Sequence, residues 1–237
     1  MDLDPTNTYS TDYFLGTSGS RGDFSLLELG PKFYDRTNTV IEYFDLPHAH
    51  AGTIVELGCG TAPFYRIMQE HSELRHLAVS CTDVTDKGIA LLKPTERPPF
   101  SLASADHLPF ESSSLLGTIA WDVLEHIENP QVALAEIYRV LAPQGFLHIV
   151  CPNPDSWQRD SSAPENDVYR RDKSHIFPAI VTVDFLSETL SQLDFTFEQF
   201  TRGFPGSEGQ YQTGRVSLRP ARVDNTGTHI VVFARKT

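Results

Sequence analysis

TIVELGCGTAPF, residues 53–64, is the stretch that decides the fold. Residues suited to a strand lead directly into Gly58-Cys59-Gly60, and a helix-like pattern begins at Pro63. In a doubly wound sheet, the first strand delivers such a glycine turn to the edge where ligands bind. Glycines there let a ligand approach the backbone closely, although a tight strand-to-helix turn without any ligand produces the same pattern.

Strand and helix signals alternate around this stretch. Strands are predicted at 53–57, 76–83, 101–105, 115–121 and 146–151, helices at 31–46, 63–74, 86–93 and 131–141, and a turn at 142–145. A further helix capped by Thr182 and two last strands, 195–200 and 229–234, follow. This order is typical of an α/β fold with helices on both faces of a parallel sheet. We therefore expect a doubly wound, mostly parallel, seven-stranded sheet.

Composition limits the partners of the protein. The formal net charge is −12, from 19 basic and 31 acidic residues, whereas proteins that bind nucleic acid usually carry an excess of Lys and Arg. No apolar run approaches the roughly 20 residues that a membrane helix needs, and the first residues lack a signal-peptide pattern. The three cysteines are interpreted as reduced thiols. We expect a cytoplasmic protein that binds neither nucleic acid nor membrane.

Two phosphate-binding motifs do not fit the glycine turn. A dinucleotide site needs G-x-G-x-x-G, and the sixth position here is Pro63, which disfavours a nucleotide-dependent oxidoreductase. A P-loop needs Gly-Lys-Ser/Thr, which the sequence lacks. What remains is a cofactor without phosphate whose ammonium and carboxylate lie across the turn. The acid Glu56, just before Leu-Gly, suits that cofactor.

Four segments, in this order, carry a family resemblance: VELGCG (55–60), CTDVT (81–85), ASADHLPF (103–110), and WDVLEHIENP with EIYRVLAPQGFLHIVCPNP (121–130 and 136–154). They resemble the class I S-adenosylmethionine-dependent methyltransferases of the small-molecule type, and within these the quinone-biosynthesis branch. The resemblance implies S-adenosyl-L-methionine as cofactor. It also implies one domain over 1–237, made of an N-terminal cap or lid with the first helix (1–48), a cofactor-binding core (49–151) and a substrate-side segment with the last helix and strands (152–237).

The resemblance assigns residues to the cofactor. Asp83 ends the second strand and is expected to accept both ribose hydroxyls, while Gly58 and Gly60 keep side chains away from the methionine moiety. The expected cofactor-binding residues are Glu56, Gly58, Cys59, Gly60, Asp83, Val84, Ser104, Ala105, Asp106, Trp121 and Asp122.

Two departures from the family pattern bear on these assignments. The family's adenine-binding acid usually lies four residues before the Leu of Leu-Pro-Phe, where this chain has Ser104, and the acid comes two residues later at Asp106. Either Ser104 makes a weaker contact to adenine, or the loop shifts so that Asp106 reaches it. The second departure is Ala62, which stands where the family often has a third glycine.

Two histidines are candidate general bases. His126 follows the fourth strand, and the Glu-His pair there caps the next helix in many relatives, which is the alternative to a catalytic role. His175 lies after the fifth strand beside Asp172, in a segment that forms part of the substrate lid in similar enzymes. Glu125, His126 and His175 could hold a divalent metal as in some relatives, but no complete ligand set is visible, so we expect no metal.

The acceptor is expected to be a small molecule. The candidate substrate and lid residues are Tyr9, Tyr13, Phe14, Arg170, Arg171 and Asp172. Trp-Asp-Val-Leu after the fourth strand differs from the Asn/Asp-Pro-Pro-Tyr of enzymes that methylate amide or base nitrogens. This difference argues against a DNA or RNA base as acceptor, and O-methylation of a small molecule is the leading interpretation. N- or C-methylation and a non-catalytic, cofactor-binding partner subunit are the alternatives, and the oligomeric state is open between monomer and homodimer.

Overall fold

The computed structural model describes residues 9–15, 27–154, 181–202 and 229–237. Its centre is a seven-stranded sheet with the order β3-β2-β1-β4-β5-β7-β6. Strands β1 to β5 pair in parallel, and β7 is antiparallel to both β5 and β6. The predicted fold class, doubly wound and mostly parallel, is confirmed.

The strands are β1 (Gly52–Leu57), β2 (Leu77–Asp83), β3 (Phe100–Leu102), β4 (Leu115–Trp121), β5 (Leu141–Pro152), β6 (Phe195–Arg202) and β7 (His229–Lys236). The helices within the described residues are α1 (Thr11–Leu15), α2 (Pro31–Tyr43), α3 (Pro63–Met68), α4 (Lys87–Ala90), α5 (Pro130–Val140) and α6 (Val183–Gln192). None of these helices has the length and apolar character needed to cross a membrane.

Neighbouring residues of the central strands face opposite sides of the sheet, because side chains alternate along a strand. Ile54 and Ile119 pack with α2 and α3 in one core, whereas Val55 and Ala120 pack with α5 and α6 in the other. Both faces of β1 and β4 are therefore buried. This explains why these strands form continuous apolar runs in the sequence.

Two local predictions were wrong. Helix α3 ends at Met68 rather than 74, and a short 3-10 turn, Ser72–Leu74, then brings Leu74 into the same core, so the apolar spacing continues without the helix. The turn predicted at 142–145 is instead part of β5. There the register with β4 shifts and Gln144 adopts φ 63°, as expected for a bulge in a continuing strand.

Candidate functional site

A cleft of about 600 Å³ opens at the carboxyl edge of the parallel strands. It is lined by every described residue that the sequence assigned to cofactor, lid or catalysis: Tyr9, Tyr13, Phe14, Glu56, Gly58, Cys59, Gly60, Asp83, Val84, Ser104, Ala105, Asp106, Trp121, Asp122 and His126. The volume lies within the range of about 300–1,000 Å³ that is typical of small-molecule sites. Residues from the ends of β1, β2 and β4 thus meet around one space.

The turn after β1 forms the floor of the cleft and has an unusual backbone. Gly58 and Gly60 both have φ 54°, and Ala62 adopts the left-handed conformation at φ 52°. A Cβ added to Gly58 would lie 2.7 Å from a methyl of Val123, closer than packed atoms tolerate. Glycine is therefore required at Gly58 for both backbone conformation and space.

Glu56 has a structural function that its sequence position did not suggest. Its buried carboxylate accepts hydrogen bonds from the backbone N–H groups of Phe64 and Tyr65, both at 3.0 Å, in the first turn of α3. Burial raises the pKa of Glu56 to about 7, although the hydrogen bonds from Tyr65 and Phe64 oppose this. Glu56 lines the cleft, and it also ties the glycine turn to the start of α3.

Asp83 joins the end of β2 to the glycine turn. Its Oδ2 accepts from the backbone N–H of Gly60 at 2.9 Å, and its Oδ1 accepts from the N–H of Thr85 at 3.1 Å. Burial raises the pKa of Asp83, opposed by these backbone hydrogen bonds. A carboxylate oxygen can accept more than one hydrogen bond. Asp83 can therefore accept a further hydrogen bond from a ligand hydroxyl while it keeps its bonds to the backbone.

The segment after β3 forms the far wall of the cleft. The N–H of Ala103 donates to the carbonyl of Asp83 at 2.9 Å, and the N–H of His107 donates to the carbonyl of Ser104 at 3.1 Å, which fixes the turn between them. Ser104 and Asp106 both line the cleft. Val84 adds an apolar side chain that is 38% exposed there.

At the exit of β4, Asp122 forms an ion pair that the sequence analysis missed. Arg36 Nη1 of α2 donates to Asp122 Oδ2 at 3.0 Å, and Asp122 itself adopts φ 55°. Burial favours a higher pKa for Asp122, but the charges of Arg36, Lys32 and His229 lower it below its usual range. The sequence does contain a signal for Arg36: it is a charged residue at a position of α2 that otherwise belongs to the buried, apolar face.

His126 lies in a short turn beyond Asp122 and faces the N-terminal segment. The rings of Tyr9 and His126 are 6.0 Å apart with an edge-to-face arrangement, and Tyr9 in turn contacts Tyr13. His126 Nε2 is 3.9 Å from Oε1 of Glu125, which is buried. The structure therefore brings His126 and the predicted lid residues together at one end of the cleft.

Four predicted residues lie outside the described residues: Arg170, Arg171, Asp172 and His175. In the part of the chain that is described, no group of three or more His, Cys, Asp or Glu side chains could hold a metal ion. Because His175 is outside that part, the expected absence of a metal stays a prediction.

Comparison with known proteins agrees with this geometry. Residues 55–149 match the sequence model of the family described as "Methyltransferase domain". This segment is a methyltransferase domain. It contains the second half of β1, all of β2 to β4, most of β5 and the turns that form the cleft floor.

Similar proteins include two curated relatives and a solved structure. An O-methyltransferase of Pyrenophora dematioidea is 26% identical over 153 residues, 60% of this chain and 53% of its own. The malonyl-[acyl-carrier protein] O-methyltransferase of Alcanivorax borkumensis is 33% identical over 132 residues, 50% of this chain and 42% of its own. The chain thus spans about half the length of these relatives. The plantazolicin methyltransferase BpumL, in complex with SAH, superposes with a TM-score of 0.63 at 15% identity, over 87% of this chain and 84% of its own.

The sequence resemblance implies S-adenosylmethionine as the cofactor, and the cleft has distinct walls in which its parts could lie. Asp83 lines the cleft with its carboxylate, and Val84 adds an exposed apolar side chain beside the Ser104–Asp106 wall. Gly58 and Gly60 line the same cleft without side chains. Asp122 and His126 line the cleft at the exit of β4.

Proposed function

We propose that the methyltransferase domain transfers a methyl group from S-adenosylmethionine to a hydroxyl of a small-molecule metabolite. Both curated relatives are named O-methyltransferases, which supports an oxygen acceptor. The observation that carries the proposal is the position of His126, which lines the cleft beyond the cofactor-binding turns. An imidazole titrates near neutral pH, so it can accept a hydroxyl proton there.

In the proposed reaction the chain mainly aligns the acceptor and accepts a proton. When bound, S-adenosylmethionine supplies a methyl group that its positive sulfur has already activated. Glu56, Gly58, Gly60 and Asp83 would hold the cofactor. An imidazole nitrogen of His126 would take the proton of the acceptor hydroxyl as that oxygen is methylated. Glu125, buried beside His126, stabilises the imidazolium that results. The aromatic residues Tyr9 and Tyr13 cover this end and limit access of water.

The experiment compares His126→Gln with the wild type. We expect the single-turnover rate with a hydroxylated acceptor to fall roughly 10²–10⁴-fold, the range for loss of a general base. Affinity for S-adenosylhomocysteine should stay unchanged, because the cofactor is expected at the turns after β1, β2 and β3 and not at His126. His107→Gln is the matched control, because His107 is exposed and does not line the cleft.

Three measurements separate the alternatives: isothermal calorimetry, melting temperature and rapid-quench turnover with a radiolabelled methyl group. A normal rate in His126→Gln would contradict the base role and favour an amine or an already ionised acceptor. Tight cofactor binding without turnover on hydroxylated, aminated or carbon acceptors would favour a non-catalytic partner subunit instead.

A further inference from the structure

The short N-terminal helix is held by its side chains rather than by its own backbone. Helix α1 has five residues, Thr11–Leu15, and an isolated helix of this length is not stable in water. Tyr13 and Phe14 are nevertheless buried. The position of α1, and the direction of Tyr9 just before it, therefore depend on what these aromatic side chains contact.

Phe14 packs directly on the glycine turn. A Cβ added to Gly60 would lie 3.3 Å from Cε1 of the Phe14 ring, so the ring fills the space beside this glycine. On another side, Gly88 of α4 packs so closely against Gly60 that a Cβ on Gly88 would overlap the carbonyl group of Gly60. The N–H of Gly60 donates to Asp83 at 2.9 Å. Because Gly60 is closely packed on these sides, a ligand that displaces the turn also displaces the Phe14 ring.

Three edge-to-face contacts lead from Phe14 to His126. The rings of Phe14 and Tyr13 have centroids 5.2 Å apart and planes at 88°. The rings of Tyr13 and Tyr9 follow at 5.3 Å and 81°, and those of Tyr9 and His126 at 6.0 Å and 82°. These values are typical of favourable aromatic pairs. Ser10 fixes the step between the two tyrosines, because its carbonyl and its hydroxyl accept from the N–H of Tyr13 at 3.0 and 3.3 Å.

The main chain and the ring of His126 are positioned by different contacts. The N–H of His126 donates to the carbonyl of Val123 at 3.0 Å, which fixes the short turn that carries it. The ring lies beside the buried Glu125, with Nε2 3.9 Å from its Oε1, and beside the ring of Tyr9. The turn thus sets where His126 lies, and the Tyr9 ring limits the directions in which its imidazole can point.

We propose that Phe14, Tyr13 and Tyr9 form an aromatic bridge through which cofactor binding at the glycine turn orients the His126 imidazole. The inference rests on the proposed function, in which His126 is the base, and it adds Tyr9 and Phe14 as positioning residues. The bridge gives the reaction an order, because the imidazole reaches its working orientation once the cofactor is bound. A simple cover over the cleft would exclude water but would not transmit cofactor binding to the imidazole.

The test follows the imidazole by NMR of the full chain and needs no acceptor. Among the ring resonances of the nine histidines, those of His126 are identified by their absence from His126→Gln. We expect saturating S-adenosylhomocysteine to shift the His126 resonances in the wild type. Tyr9→Leu and Phe14→Leu should each lose most of this shift. Tyr9→Phe should keep it, because phenylalanine retains the ring that makes the edge-to-face contact.

Tyr34→Leu is the matched control, because the Tyr34 hydroxyl donates to Glu70 and the residue does not line the cleft. This variant should show the wild-type shift. Calorimetry on each variant establishes the concentration of S-adenosylhomocysteine that saturates it, since weaker binding would otherwise imitate a lost shift. The melting temperature of each variant confirms that it is folded.

A second route from the glycine turn to His126 runs through Val123, whose methyl lies beside Gly58 and whose carbonyl accepts from His126. Tyr9→Leu leaves this route intact. A shift that persists in Tyr9→Leu would therefore indicate that route, or direct contact with the cofactor, and would overturn the bridge. A wild type that binds S-adenosylhomocysteine without any shift would overturn it too. Normal turnover in His126→Gln would instead refute the proposed base, while the resonances would still decide the bridge.

Discussion

At the scale of single residues, Gly58 tolerates the least change. Gly58→Ala places a Cβ 2.7 Å from Val123 in a backbone with φ 54°, so we expect the free energy of unfolding to fall by about 1–2 kcal/mol from the backbone conformation alone. Affinity for S-adenosylhomocysteine should fall as well, because Val123 or the turn must move. Gly30→Ala is the control, since Gly30 has φ −72° and open space around it. Urea unfolding and calorimetry that find the two variants alike would contradict this role.

The residues that the sequence predicted differ in kind from those it did not. Gly58, Asp83 and His126 each lie in a short motif that can be recognised from neighbouring residues, so a single sequence is enough to select them. Arg36 and Asp122 are 86 residues apart, and only the folded chain brings them together. Glu56 was predicted as a cofactor residue from its position before Leu-Gly, whereas its hydrogen bonds to α3 were not predicted, because they depend on where that helix begins.

At the scale of elements, Glu56 links β1 to the first turn of α3 and makes this junction sensitive to pH. The pKa of Glu56 is about 7 in the folded protein, against an ordinary value of 4.5. The folded state therefore binds a proton more readily than the unfolded state, and the stability that this provides is lost as the pH rises from about 4.5 to about 7.

Glu56→Gln should remove this pH dependence. Between pH 5 and pH 8 the wild type should lose up to about 3 kcal/mol more of its unfolding free energy than the variant, since each pKa unit corresponds to about 1.4 kcal/mol. Chemical denaturation at several pH values measures the difference between the two slopes. Because Gln keeps one acceptor oxygen, the comparison concerns the slope rather than stability at one pH. Parallel curves for the two proteins would contradict the prediction.

The boundaries of elements were less predictable than their existence. The apolar spacing of 63–74 fits a single helix, yet the chain leaves the helix after Met68 and still buries Leu74. Pro143-Gln144-Gly145 has the composition of a turn, but Leu141 before it and Phe146 after it both pair with β4, which keeps it within a bulged strand. In both cases tertiary packing determined where the element ended.

At the scale of the whole molecule, the alternation of strands and helices was sufficient to predict a doubly wound sheet. The insertion of β7 between β5 and β6 was not predicted, because it depends on long-range contacts. One of these is the hydrogen bond between the His148 ring and the Val232 carbonyl, 84 residues apart. The cleft follows from this arrangement, since parallel strands bring the turns after β1, β2 and β4 to one edge.

The central claim is that this edge binds S-adenosylmethionine with Asp83 on the ribose. Calorimetry with S-adenosylhomocysteine on the wild type, Asp83→Asn and the exposed control Asp86→Asn tests it most directly, with NADH as the competing ligand. We predict micromolar binding to the wild type and to Asp86→Asn, no binding of NADH, and a loss of about 1–3 kcal/mol in Asp83→Asn, because hydrogen bonds to a carboxylate are lost. Binding of NADH in place of S-adenosylhomocysteine, or unchanged affinity in Asp83→Asn, would contradict the account.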